Sequence, residues 1–131
     1  MKKLIPLALS ILIISAACQK AKDLLTVKAF YNANAFTEKN CDQLGSVKSI
    51  NSLDSVNITF TNKSKRLLHI NWIDYTGSEV TYKDLADGAS WDIPTYQTHP
   101  WLIRKTDGAC LTILIPNVGA SSHETVSFGE Q

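Results

Sequence analysis

The chain has 131 residues, with 13 Lys and Arg against 12 Asp and Glu and a formal charge of +1. A balance this even, with no basic run, excludes capture of nucleic acid by bulk charge, and the length provides for one domain rather than two. No internal repeat is present.

The chain opens with Lys2 and Lys3, then an almost wholly apolar run over residues 4–15, then Ser15-Ala16-Ala17 and Cys18. A short positive region, an apolar region and small residues before a cut site make up a secretory signal, so residues 1–17 are expected to be removed. The apolar run is too short to cross a bilayer about 30 Å thick as a helix. Ile14-Ser15-Ala16-Ala17-Cys18 resembles the lipobox of bacterial lipoproteins, although Ser15 stands where Leu is usual. The resemblance implies that Cys18 is acylated and holds the protein on a lipid bilayer, each buried CH₂ contributing roughly 0.8 kcal/mol. Gln19 follows, where the inner-membrane retention signal of that family is usually Asp. The expected location is therefore the cell envelope, facing the outer membrane or periplasm, with residues 18–24 as lipidated Cys and tether and residues 25–131 as one domain.

Residues 25–36 mix apolar and polar types and suit a strand or a short helix equally. Residues 37–45 are polar and read as a loop, and from Ser46 onward the pattern is that of strands. Val56-Asn57-Ile58-Thr59-Phe60-Thr61 alternates with the period of a strand buried on one face. Asn62-Lys63-Ser64-Lys65 is a turn cluster in which Asn62 is expected to bond its own backbone and Lys63 and Arg66 to be solvated. Further strands are expected over residues 67–75, 79–82, 90–93, 101–105, 110–115 and 125–128, separated by Thr76-Gly77-Ser78, Asp87-Gly88, Asp107-Gly108 and Pro116-Asn117. Short strands at even spacing, with no amphipathic helix of twelve or more residues after the leader, predict an all-β fold, a small antiparallel β-sandwich.

Beyond Cys18 the chain has Cys41 and Cys110. In an oxidising compartment they suit a disulfide tying the N-terminal part to a late strand, or else two buried thiols. His69, His99 and His123 are scattered, so no metal site is expected and no cofactor is implied. No nucleophile elbow, phosphate loop or HExxH motif occurs. A hydrolase centred on His99 is left as a minor alternative to a non-catalytic binding module.

Trp72, Tyr82, Trp91, Tyr96 and Trp101 fall within thirty residues, with His99 two positions before Trp101. These aromatics either all serve the core or form a concave site with a few orienting polar groups. Their spacing is similar to that of a known family. Ile58-Thr59-Phe60-Thr61-Asn62-Lys63-Ser64, then Trp72-Ile73-Asp74-Tyr75-Thr76-Gly77-Ser78-Glu79, Tyr82-Lys83-Asp84-Leu85 and Thr95-Tyr96-Gln97-Thr98-His99-Pro100-Trp101-Leu102-Ile103-Arg104 resemble the β domain of the von Hippel-Lindau tumour suppressor. The resemblance covers residues 56–104 and needs no gap from Phe60 to Arg104. It implies a prealbumin-like β-sandwich that binds a peptide containing 4-hydroxyproline.

On that resemblance the two pocket Trp fall on Trp72 and Trp101, the Tyr on Tyr82, the His on His99 and the Ser on Thr95. Flat indoles suit a rigid pyrrolidine ring, and Thr95 with a neutral His99 suits its hydroxyl. Trp91 has no pocket counterpart and is expected in the core. Arg104 is expected to be structural, pairing with Asp74 or Asp92. Pro94 and Pro100 depart from the family beside the pocket. No helical elongin-binding segment is readable, so neither elongin nor ubiquitin-ligase partners are expected. A second possibility is an envelope-assembly lipoprotein using the sandwich as a scaffold. A Trp101→Ala change is expected to abolish ligand capture and leave the domain folded, whereas scaffolding would survive it.

Overall fold

The computed structural model describes residues 26–131. The expected leader, acylated Cys18 and tether lie outside the described residues. Nine strands follow in order: β1 Val27–Tyr31, β2 Phe36–Lys39, β3 Ser55–Lys63, β4 Leu68–Ile73, β5 Glu79–Leu85, β6 Ser90–Tyr96, β7 Trp101–Lys105, β8 Cys110–Pro116 and β9 His123–Glu130. They form a four-stranded sheet ordered β1-β9-β3-β6 and a five-stranded sheet ordered β2-β8-β7-β4-β5. Every pairing is antiparallel except β3 with β9. This is the expected β-sandwich, with one parallel pair inside its smaller sheet.

The alternation in β3 does what its period demands. Val56, Ile58 and Phe60 face inward and are buried, while Asn57, Thr59 and Thr61 face out. Phe60 lies near the centre of the core, its ring stacked 6.2 Å from Phe128 and 6.2 Å from Trp91. Trp91 is half-buried and packs on this core, as anticipated. Asn62 also faces inward, and it satisfies itself. Its Nδ2 donates to the carbonyls of Arg66 and Leu85, and its Oδ1 accepts from Ser64 N and Ser64 Oγ. A buried amide with all these partners avoids the cost of an unmet polar group, about 1–3 kcal/mol. Lys63 is exposed, whereas Arg66 is half-buried rather than freely solvated.

Two stretches depart from expectation. Of residues 25–36, left open between strand and helix, the described part, 26–36, is β1, a turn and the first residue of β2. Residues 37–45 are not a loop: β2 pairs with β8, Phe36 facing Pro116 and Lys39 facing Ile113, and Cys41–Ser46 forms a 3₁₀ helix. The strand is hidden in the sequence because it is a four-residue edge with only Phe36 buried, so it carries no alternating pattern. Residues 47–54, expected to read as β, join no ladder.

The near-continuous apolar run of β8 has a physical cause, since the larger sheet is covered on both faces there. Leu114 belongs to the main core, while Ile113 joins Val47, Ile73 and Leu102 in a second cluster on the outward face. Leu44 of the 3₁₀ helix packs on this second cluster. Cys41 and Cys110 close it as a disulfide, with Cα atoms 5.9 Å apart and a sequence separation of 69. Arg104 is structural but pairs differently from expectation: its Nε and Nη2 donate to the two oxygens of Glu79 at 2.7 and 2.8 Å. Asp74 is instead engaged by its own turn and Asp92 by Thr59 on the other sheet. The two-pronged pairing with Arg104 holds the Glu79 carboxyl below its usual range.

A bridge closing a loop of this length stabilises mainly by restricting the unfolded chain. Replacing both Cys41 and Cys110 by Ser is expected to lower the unfolding free energy by about 2–4 kcal/mol. Denaturant titration of the variant against the oxidised protein measures this.

Candidate functional site

A cavity of about 260 Å³ opens where the larger sheet meets β6 and the β6–β7 loop, and Trp72, Tyr75, Tyr82, Thr95, Tyr96, His99 and Trp101 line it together with Ile93 and Pro94. All five side chains anticipated from the sequence, Trp72, Tyr82, Thr95, His99 and Trp101, therefore reach one place.

Each is delivered by a distinct local device. Trp72 on β4 and Trp101 on β7 stand directly opposite each other in the antiparallel ladder, so both indoles leave the sheet on the same face. Tyr82 sits at a β-bulge in β5. Ile70 faces Lys83 and Asn71 faces Thr81, so Tyr82 is the extra residue. A bulge re-aims the side chain it displaces. The Tyr82 ring lies edge-on to Trp101 at 5.2 Å and to Trp72 at 6.3 Å. Thr95 comes from β6, opposite Val56 of β3, and is 5% exposed. Its hydroxyl makes no hydrogen bond among the described residues.

His99 comes from the β6–β7 loop, whose backbone is unusual. Thr98 has φ +67°, a left-handed conformation that a β-branched residue rarely adopts. It is held there by Thr98 N donating to the Pro116 carbonyl at 2.8 Å and Thr98 Oγ1 donating to the Ile50 carbonyl at 3.0 Å. The His99 ring is 5% exposed and lies 5.5 Å from Trp72 at a tilt of 32°. Burial pushes its pKa down, so it is neutral near pH 7. Its Nε2 is 3.1 Å from the Tyr75 hydroxyl.

The walls are braced from behind. Trp72 Nε1 donates to Ser49 Oγ at 2.9 Å, and that hydroxyl donates to the Ile73 carbonyl at 2.6 Å. Ser49 is buried and belongs to the stretch that joins no ladder, so its role is not readable from periodicity. Trp101 is only 2% exposed and packs on Phe60, with its indole N–H buried and unpartnered among the described residues. It is therefore a core residue as much as a wall. A Trp101→Ala change is expected to cost about 3–5 kcal/mol and is not the clean probe of binding that the sequence suggested. Of the two family departures, Pro94 lines the cavity, and the Pro100 carbonyl accepts from Ile73 N at 3.0 Å.

Two aromatic residues of the site have no role assigned from the sequence. Tyr75 is within the quoted resemblance and Tyr96 within the aromatic cluster, and both line the cavity. Their only signal is aromatic character beside the matched positions. The arrangement offers flat apolar walls, the Thr95 hydroxyl with no hydrogen bond among the described residues, and one neutral imidazole, which suits holding a small rigid group. Among the described residues His99 is hydrogen-bonded to the Tyr75 hydroxyl and to no Ser hydroxyl or carboxylate. No group of three or more potential metal ligands occurs among the described residues.

The lowered pKa of His99 sets a sign for acid stability. An unfolded His binds its proton near 6.5 while the folded one resists it. The contribution is then complete above 6.5 and is lost as pH falls through the depressed folded value. Denaturant midpoints taken from about pH 8 to about pH 5 should fall more steeply for the native protein than for His99→Gln.

A comparison with protein families matches residues 47–114 to the VHL beta domain. The match contains Ser49 and every residue of the cavity.

Proposed function

The chain belongs to the VHL beta domain family, whose domain is a substrate-binding rather than a catalytic module, and from that premise we propose that the protein captures a peptide or protein carrying 4-hydroxyproline. One observation carries the reading. Two indoles and three phenols line a cavity whose nearly buried polar groups include a neutral imidazole and, at Thr95, a hydroxyl with no hydrogen bond among the described residues. A pyrrolidine ring is rigid and apolar on its faces, so aromatic walls cover it at little entropic cost. Its hydroxyl is both donor and acceptor and matches Thr95 Oγ1 and a His99 nitrogen together. Tyr82, half exposed at the rim, is placed to donate to a peptide carbonyl. Plain proline would leave Thr95 and His99 unmet, at about 1–3 kcal/mol for each group.

Calorimetric titration of the purified protein with two peptides, identical but for proline or 4-hydroxyproline, tests the proposal. The hydroxylated peptide is expected to bind at least about tenfold more tightly. Thr95→Val, which keeps the shape and removes the hydroxyl, should reduce that preference about fivefold. Equal affinity for the two peptides would overturn the hydroxyl reading, and binding of neither would favour a scaffold role in envelope assembly.

The proposal extends to location. Residues 1–17 are a signal, Cys18 is acylated, residues 18–24 are a tether, and residues 25–131 form the binding domain presented in the cell envelope. The signal, lipobox and tether are motifs of the sequence alone. Among the described residues no helix is long and apolar enough to cross a membrane. Cys18→Ser should move the protein from the membrane fraction to the soluble one and abolish incorporation of labelled fatty acid. Fatty-acid labelling that survives the change would contradict anchoring through Cys18.

A further inference from the structure

Tyr75 is the cavity residue whose hydroxyl does something a plain aromatic ring cannot. It follows Asp74, whose Oδ1 accepts from Thr76 N at 2.8 Å, Thr76 Oγ1 at 2.7 Å and Ser78 N at 2.9 Å. These bonds hold the Asp74 carboxyl below its usual range and lock the β4–β5 turn, closed by Gly77 at φ +85°. The turn is pinned to the domain as well, since Ser49 N donates to the Asp74 carbonyl at 3.0 Å. Tyr75 is thus presented from a rigid base although its own ring is 48% exposed. Its ring stands edge-on to His99 at 5.4 Å and to Trp72 at 5.7 Å, and its hydroxyl lies 3.1 Å from His99 Nε2.

A neutral imidazole carries one proton, and the partner of one nitrogen decides where it sits. A phenol is the better donor of such a pair because its oxygen lone pair is delocalised into the ring. With the phenol O–H donating to Nε2, the imidazole proton is on Nδ1, the nitrogen that has no hydrogen-bond partner among the described residues. We propose that Tyr75 is a positioning residue that holds His99 in the Nδ1–H tautomer. The pocket then presents a fixed donor to its ligand, beside the Thr95 hydroxyl.

The consequence for specificity rests on the hydroxyproline reading above. The ligand atom facing His99 must be an acceptor oxygen, and the ligand's own hydroxyl proton goes to Thr95 Oγ1. Rings without an oxygen at that point are rejected because a buried N–H is left unmet. Without Tyr75 the two tautomers interconvert and part of that discrimination is lost.

The tautomer is read directly from the side-chain ¹⁵N shifts and long-range ¹H–¹⁵N couplings of His99 in the ligand-free protein above neutral pH. His99→Gln identifies the resonances. The native protein is expected to show protonated Nδ1, and Tyr75→Phe a mixture or protonated Nε2. Tyr75→Phe keeps the ring contacts, and the half-exposed position makes unfolding an unexpected result. Titration of that variant with the peptide pair should show the preference for hydroxyproline falling about fivefold. Protonated Nε2 in the native protein, or an unchanged pattern in Tyr75→Phe, overturns the inference. If the variant folds poorly, the tautomer seen in the native spectrum decides between the two. Protonated Nδ1 that depends on Tyr75, in a protein that binds neither peptide, upholds the tautomer control and counts against the ligand reading alone.

Discussion

Trp72 and Trp101 face each other across β4 and β7, and the site is organised around that pair. In an antiparallel ladder directly opposed residues emerge on one face with close Cβ atoms, so the pairing sends both large indoles out of the same face of the sheet. One of them, Trp101, goes down into the core against Phe60 and Trp91. The other, Trp72, stays half-buried and braces His99 and Tyr75. A shift of β4 by one residue would send Trp72 to the outward face, beside the second cluster, and open the cavity on one side. Site and core therefore share a single register, and what stabilises the sandwich also shapes the pocket.

Rigid backing is the second theme. Ser49 holds the Trp72 indole, the Asp74 turn holds Tyr75, and the strained Thr98 holds the loop that carries His99. A non-glycine residue at positive φ costs on the order of 1–3 kcal/mol and persists only where surrounding bonds over-determine it. Here two bonds, to the Pro116 and Ile50 carbonyls, fix it. A pocket held this way loses little entropy when a ligand arrives, which favours a rigid ligand over a flexible one.

Much of this is legible along the chain. The strand at 56–61 declares itself by strict alternation, and the strand at 101–105 by its apolar run between two turns. The five residues Trp72, Tyr82, Thr95, His99 and Trp101 are legible only through the resemblance to the VHL β domain, since His99 lies in a loop and Tyr82 at a bulge that no local pattern announces. The edge strand β2 and the 3₁₀ helix are not legible, because neither buries a regular face. Arg104 is recognisable as structural, but its partner is not. Carboxylates at Asp74, Glu79 and Asp92 look equivalent along the chain, and only pairing across strands distinguishes them. Tyr75 and Ser49 stand in the sequence as ordinary residues whose roles depend on what the fold brings near them.

The division follows from the range of the forces involved. Periodicity and turn chemistry are local, and they determined the all-β class and most strand positions, while five of the residues that line the cavity came from the family resemblance. Non-local pairing decided the rest: the parallel contact of β3 with β9, the bulge that re-aims Tyr82, the bridge from Cys41 to Cys110 and the hydrogen bond from Tyr75 to His99. Each depends on which chemically similar groups end up within a few ångströms of one another. That choice is made by burying the core in one register, a property of the whole chain and of no short stretch of it.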